Sequence, residues 1–191
     1  MDNKQVVTLF DREARVLSRL SNPNALTLLD YGINRHGQPF MVSEFLKGKQ
    51  LNDYIKSLDE QQLEPAVAIQ VIISMCEALG EAHSLGVVHR DIKPENMFVS
   101  DSGINRRKLN VKLLDFGISK IREEAQQGTL SDDAKTNGFM GTFEYMSPEQ
   151  FEDTGNVDHR TDFYSLGLVF YECLTGNRPF TGTTPYLLIT Q

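Results

Sequence analysis

The sequence predicts an α+β fold: a small part made of one helix and a hairpin, followed by a larger, mostly helical part. Two observations predict it. Apolar residues recur at helical spacing over residues 5–20, from Glu64-Pro65 to Gly86, and over residues 158–175. Between these stretches, short apolar runs come in neighbouring pairs bounded by glycine, proline and polar residues, the pattern of antiparallel strands.

The first helix rests on Val6, Leu9, Phe10, Ala14, Val16, Leu17 and Leu20, with Asp11, Arg12, Glu13 and Arg15 between them. Ser21-Asn22-Pro23-Asn24 stops it, because asparagine and proline both favour turns over helix. Residues 26–31 and 39–45 read as a hairpin joined through Gly32 and His36-Gly37. Gly48 breaks the chain, and residues 51–58 form a short helix. The longest helix starts at Glu64-Pro65, where the donor that proline lacks would be unpaired anyway. It carries Ile69, Ile72, Ile73, Cys76, Leu79 and His83 at helical spacing and closes at Gly86. Residues 97–99 and 111–114 are two further strands, joined by a polar turn whose Arg106-Arg107-Lys108 reads as solvated surface. Residues 118–147 are polar without a sustained period, and so long an irregular stretch inside a compact domain is often functional. The last helix, over 158–175, carries Leu166, Leu168, Val169, Phe170, Cys173 and Leu174, is apolar on most faces, and is expected to be buried, with Gly176 as its cap.

A chain of 191 residues can bury one sizeable core, and 40% hydrophobic with 24% charged residues is an ordinary globular composition. A net charge of -7 leaves no basic surplus and argues against nucleic acid as a main partner. Cys76 and Cys173 lie in apolar helical segments without paired spacing, which reads as small buried hydrophobes in a reducing compartment. There is no signal-peptide pattern and no apolar run that approaches a membrane span. The expected location is cytoplasmic, with no membrane contact in this stretch and any tether outside it.

Candidate chemistry concentrates in Val88-His89-Arg90-Asp91-Ile92-Lys93-Pro94-Glu95-Asn96, which follows the longest helix. An acid, two basic side chains, a turn-fixing proline and an amide stand together there. Asp115-Phe116-Gly117 comes next, then Gly141-Thr142 and Ser147-Pro148-Glu149. Asn96 and Asp115 offer hard oxygen ligands, which suit Mg²⁺ better than Zn²⁺. The order of these motifs resembles the eukaryotic-type protein kinase family, whose signatures are H-R-D-L-x-x-x-N, D-F-G and A-P-E. Lys93 in its Asp-x-Lys-Pro-Glu-Asn setting is similar to the serine/threonine branch, and the segment 141–150 with Arg12-Glu13-Ala14-Arg15 is similar to bacterial members.

The resemblance implies a two-lobe fold, with residues 1–46 as part of the small lobe, including its αC helix and hinge, and residues 47–191 as part of the large lobe, including the catalytic loop and activation segment. It implies a serine/threonine protein kinase that uses ATP with Mg²⁺, or Mn²⁺ in its place, on protein serine and threonine hydroxyls. Asp91 is then the base, Lys93 neutralises the transferring phosphate, Asn96 and Asp115 hold the metal, and Thr142 braces Asp91 and Lys93. Glu13 matches the αC glutamate that pairs the ATP-holding lysine. Glu44-Phe45-Leu46 matches the hinge that bonds adenine, with Ser43 as a small gatekeeper that leaves a back pocket open. Phe98 matches the residue under the adenine ring, and Glu95 falls among the nucleotide-side residues. Leu17, Leu28, His89 and Phe116 match the apolar spine that joins the lobes. Arg90 matches a receiver of loop phosphate, with Thr129, Ser131 and Thr136 as acceptors and Thr136 preferred because it stands six residues before Thr142. Asp162 matches the aspartate that bonds the backbone of the catalytic loop, since a carboxylate in so apolar a helix needs such partners.

The departures are absences. No G-x-G-x-x-G and no V-A-I-K strand precede Glu13, and the arginine that usually pairs the glutamate matching Glu149 is missing. The expectation is a piece of a longer protein, poorly stable and nearly inactive by itself. Two other readings stand beside the kinase: a pseudokinase or docking module, disfavoured by intact Asp91, Lys93, Asn96 and Asp115, and a small-molecule kinase of related fold, disfavoured by the Gly-Thr…Ser-Pro-Glu segment.

Overall fold

Helix α1 (Asn3–Leu17) leads into an antiparallel hairpin of β1 (Leu28–Ile33) and β2 (Pro39–Ser43). In this computed structural model the described residues are 3–100, 109–116, 143–152 and 157–182. The hairpin turn follows from its residues. The Asn34 side chain accepts from the amides of His36 at 2.9 Å and Gln38 at 3.0 Å, and Gly37 takes a φ of 77° that other residues rarely adopt. Residues 44–47 then run without regular structure to β3 (Gly48–Gln50). This strand joins β4 (Met97–Ser100) and β5 (Asn110–Leu113) in an antiparallel sheet of order β3-β4-β5. The helices of the larger part are α2 (Leu51–Lys56), α3 (Pro65–Ser84), α4 (Pro148–Glu152) and α5 (Arg160–Thr175), with single 3-10 turns at Pro94–Asn96 and Phe143–Tyr145. The expected α+β arrangement is therefore present, but β3 and the short α4 were not expected: Gly48, read as a break, opens a strand, because only a residue without a Cβ can come so close to the Val99 carbonyl.

The core is centred on α3, which packs on β5 and α5. Its buried face is Val67, Ala68, Val71, Met75, Ala78, Leu79 and Ala82. Ile69, Ile73 and Cys76, expected among the helical apolar set, are exposed instead. The physical reason is that this helix is apolar nearly all round, so its period alone does not choose a face. The face with small Ala68, Ala78 and Ala82 lets neighbouring backbone come closer than an isoleucine stripe would. Cys76 is thus a surface thiol, whereas Cys173 is buried and its thiol is pushed up to about 12 by burial. Contrary to the expectation drawn from sequence, α3 is long and apolar enough to cross a bilayer, but its packing on β5 and α5 accounts for the same composition. Helix α5 is likewise less covered than expected. Thr161, Asp162, Ser165, Leu166, Leu168, Val169 and Cys173 face inward, while Phe163, Tyr164 and Tyr171 are exposed among the described residues.

The segment between α1 and β1 is tied to α3 by one carboxylate. Glu81 Oε1 accepts from the amide and hydroxyl of Ser21 at 3.0 and 2.9 Å, and its Oε2 accepts from the Asn22 amide at 2.7 Å. Donation from the Ser21 amide is the largest influence on this carboxyl. It is opposed by partial desolvation and reinforced by the Ser21 hydroxyl and the Asn22 amide, and the group stays below its ordinary value of 4.5. A carboxyl depressed on folding contributes its stability above 4.5 and loses it as pH falls through the lowered value. Glu81→Gln should therefore flatten the acid limb of a urea-unfolding series taken from about pH 3 to pH 7, and an unaltered limb would contradict this.

Two glycines make a further comparison. Gly176, the C-cap of α5, has φ 69°, and a Cβ there would lie 2.5 Å from the Gln61 carbonyl oxygen. Gly37 has a similar φ of 77° with open space around it. Gly37→Ala should cost about 1 kcal/mol, the penalty of the left-handed backbone, and Gly176→Ala clearly more because of the clash. Equal melting-point losses for the two variants would count against this packing.

Candidate active site

The loop after α3 is fixed by a buried carboxylate. Asp162 in α5 is fully buried. Its Oδ2 accepts from the His89 amide at 2.9 Å and from His83 Nε2 at 2.7 Å, and its Oδ1 accepts from the Arg90 amide at 2.8 Å. Both amides converge on the one carboxylate, and directly after them the chain turns left-handed at Arg90, with φ 67°. The other side of Arg90 is held as well, since Gln150 Nε2 donates to its carbonyl at 2.9 Å. Gln150 Oε1 accepts from the Ser147 amide at 3.0 Å and the Thr161 hydroxyl at 2.7 Å. With the Thr161 proton used there, Ser147 Oγ is the donor in their 2.6 Å contact. Ser147 of the Ser-Pro-Glu motif, Gln150 and Thr161 thus form a buried relay from α5 to the loop.

His89 ties the loop to the segment that runs from β5 to Asp115. Its ring is fully buried and lies edge-on to Phe116, with centroids 5.0 Å apart. Nε2 meets the Leu114 carbonyl at 2.7 Å and Nδ1 meets the Asp91 amide at 3.3 Å. A carbonyl only accepts and an amide only donates, so the ring proton sits on Nε2. Leu17 and Phe116 are also buried and Leu28 is half-buried, so all four residues expected in the apolar spine lie at the core.

On this support stand the polar side chains. Lys93 Nζ donates to Asp91 Oδ1 at 2.9 Å and Oδ2 at 2.8 Å. Asn96 Nδ2 donates to the Asp91 carbonyl at 2.7 Å and to Asp91 Oδ2 at 3.0 Å. With the amide nitrogen committed, the Asn96 oxygen is the atom that can serve a cation. Asp115 has a left-handed φ of 56°, which an aspartate tolerates better than most residues. Glu95 is half-buried, and its Oε2 is buried without a hydrogen-bond partner among the described residues.

The expected nucleotide side lies where the two sheets meet. Residues 44–47, expected as the hinge, are the irregular link between them, with Leu46 half-buried and Phe45 93% exposed. Phe98 is half-buried in β4, opposite Gln50 in β3 and Lys112 in β5. A cavity of about 130 Å³ is walled by Leu17, Leu28, Met41, Ser43, Asp115 and Phe116, matching the expected opening beside a small gatekeeper. The Glu44 side chain turns to Lys112 and Thr27. Glu13 lies on α1, but its side chain is outside the described residues, as are Thr129, Ser131, Thr136, Thr142 and Gly117.

Sequence reasoning missed several supporting residues. Gln150 and Thr161 had a signal, since polar side chains in an otherwise buried segment need partners. Lys112 and the left-handed turn at Arg90 had none. Tyr145 was also missed: its hydroxyl bonds Glu172, and Arg178 pairs with Glu144 while lying 5.7 Å from the Tyr145 ring centre. Burial, then the bond to Glu172, push the Tyr145 phenol well above its usual range.

Asp162→Ala would leave the His89 amide, which is buried, and the Arg90 amide, which is partly buried, without their acceptor. Each unsatisfied buried donor costs about 1–3 kcal/mol, so a loss of about 3 kcal/mol or more is expected in urea unfolding. Asp162→Asn should lose less because its amide oxygen keeps one acceptor, and a wild-type midpoint for the alanine variant would refute the anchoring role.

A family model described as the protein kinase domain matches residues 1–189. The chain is 41% identical over 184 residues to a probable serine/threonine-protein kinase of Clostridium perfringens, covering 96% of this chain and 24% of that protein. It is 39% identical over 190 residues to the serine/threonine-protein kinase PknL of Mycobacterium tuberculosis, covering 99% and 43% respectively. It therefore spans less than half the length of these curated relatives. Among solved structures, that of Rad53 1-466 in complex with AMP-PNP is similar with a TM-score of 0.74 and 26% identity, covering 98% of this chain and 43% of that one. Together with the Asp91–Lys93–Asn96 arrangement, these matches show that the chain belongs to the protein kinase family.

Proposed function

We propose that this chain is the catalytic region of a serine/threonine protein kinase, transferring the γ-phosphoryl group of ATP to protein hydroxyls. One observation carries the reading: the Asp91 carboxylate stands with the Lys93 ammonium and the Asn96 amide on a loop whose backbone is fixed from both sides. Phosphoryl transfer needs positioning and charge neutralisation more than covalent chemistry, and this is a positioning device. Asp91 accepts the proton of the substrate hydroxyl as its oxygen bonds to phosphorus and the bond to the leaving ADP oxygen breaks. Lys93 offsets the negative charge on the phosphoryl oxygens. Phe98, Leu46 and the backbone of residues 44–46 bind the adenine.

Asn96 and Asp115 would hold Mg²⁺, which when bound offsets phosphate charge. The donor set fits. It consists of hard oxygens, an amide and a carboxylate. Mg²⁺ completes its shell with water and phosphate, unlike metals that demand an all-protein cage. Mn²⁺ would take the same donors.

The relatives' names support serine and threonine as the hydroxyls, and AMP-PNP in the Rad53 complex supports the nucleotide. In this reading Arg90 receives a phosphate on Thr136, Thr129 or Ser131, Thr142 braces Asp91, and Glu13 pairs with an ATP-holding lysine. The domain works in the cytoplasm, where ATP is available, on protein partners and without nucleic acid.

Asp91→Asn in the full-length protein should lower the rate of phosphoryl transfer about 10²–10⁴-fold while ATP binding persists. Radiolabel transfer and calorimetry read the two quantities, and an unchanged transfer rate would overturn the assignment of the base.

A further inference from the structure

One side chain on β5 joins three segments that have so far been described apart. Lys112 lies directly across from Phe98 in the β4–β5 ladder and shortly before Asp115. Its Nζ donates to Glu44 Oε1 at 2.8 Å and to the Ala25 carbonyl at 3.2 Å. The same Glu44 oxygen accepts from the Thr27 amide at 2.9 Å, and the Glu44 amide donates to the Thr27 carbonyl at 3.0 Å. Leu26 and Leu113 are bonded through the Leu26 amide at 2.9 Å, and the Leu113 amide reaches the Asn24 carbonyl at 2.7 Å. The side chains of Lys112 and Glu44 are only 21% and 28% exposed, so solvent screens the pair weakly.

The direction of this contact is fixed by backbone. Glu44 has to accept, because Thr27 presents an N–H to it. Lys112 has to donate, because Ala25 presents a carbonyl. Partial burial alone would raise the Glu44 carboxyl, but donation from Lys112 and Thr27 outweighs it and holds the group below its ordinary value.

From this geometry we infer that Lys112 is a positioning residue for the nucleotide, a strap that sets the link at Glu44 at a fixed distance from β5, the strand that leads to Asp115. Its amine is engaged with Glu44 and Ala25, so it acts through them on the two places that would touch opposite ends of ATP. The inference rests on the nucleotide-binding reading above. Loss of the strap lets the link move relative to the metal arm and weakens ATP binding. The transfer step, organised by Asp91, Lys93 and Asn96 on a separately anchored loop, is left nearly intact once ATP is bound.

The test uses the full-length protein as wild type, Lys112→Met, Lys112→Arg, Glu44→Gln and the swapped pair Glu44→Lys with Lys112→Glu. Amide hydrogen exchange is followed at Thr27 and Glu44, MgATP affinity by calorimetry, and transfer at saturating ATP. Lys112→Met should speed exchange at both amides and weaken MgATP binding about tenfold, as loss of a charge-assisted bond does, with the saturated rate changed less than about twofold. Lys112→Arg should stay within about threefold of wild type in affinity, since arginine can still donate to both oxygens. The swapped pair should be no better than Lys112→Met, because it would set an ammonium against the Thr27 N–H and a carboxylate against the Ala25 carbonyl. Should Lys112→Met not fold, Glu44→Gln asks the same question with no change of shape and a smaller effect in the same direction. Unchanged exchange and affinity in the folded variants, or full rescue by the swap, would overturn the inference. A wild type that bound no ATP would instead overturn the nucleotide reading, while amide exchange in Lys112→Met would still decide whether the strap exists.

Discussion

The loop proposed to be catalytic depends on burying one carboxylate. An anion removed from water is costly unless donors surround it, and Asp162 is fully buried. The loop after α3 supplies those donors as the amides of His89 and Arg90, and α3 itself supplies His83. Neither partner is stable alone. The two amides meet the carboxylate one on each oxygen, and directly after them Arg90 holds a left-handed backbone, which an arginine does not favour, so the carboxylate anchors the chain where it turns toward Asp91. Asp91 follows directly, so its place relative to α5 is decided by a contact in which it takes no part.

The support then passes outward through groups of fixed polarity. His89 takes the Asp91 amide on one ring nitrogen and gives its proton to Leu114 with the other, which ties the loop to β5. Asn96 adds a second tie, its carbonyl accepting from the Leu114 amide at 2.8 Å. Gln150 grips Arg90 from the opposite side and is itself oriented by Ser147 and Thr161. At His89 and Gln150 a side chain that can both donate and accept is oriented by backbone groups that can do only one. That is how a chain with few long-range ion pairs among its described residues keeps a polar site in register.

Much of this was legible in the sequence, and what was not has physical reasons. Apart from β3 and α4, the order of helices and strands could be read because period and turn residues agree. The inward face of α3 could not, because a helix rich in isoleucine, valine and alanine all round offers no contrast. Asp162 announced itself, since a carboxylate in an apolar helix must find donors. Lys112 did not, because a lysine alternating with apolar residues on a strand looks like the solvent side of a sheet. Its partner Glu44 was read for its backbone alone, and the side chain turned out to face the strand. The left-handed turn at Arg90 left no mark either, because no glycine or asparagine signals it.

The carboxylates of the structure also separate by what they bond. Asp162, Glu81 and Glu44 each accept from backbone amides. Such donors cannot leave without moving the chain, so these groups are committed to holding it. The Asp91 carboxylate takes its bonds from the side chains of Lys93 and Asn96, and it is 23% exposed where Asp162 is fully covered. Side-chain donors can rotate away when a hydroxyl or a phosphate arrives, at the cost of a rotamer rather than of a fold. The base proposed at Asp91 would have to exchange its partners in every cycle, whereas an anchor must never do so. The two kinds of donor therefore distinguish Asp91 from its neighbours on physical grounds that are independent of the motif around it.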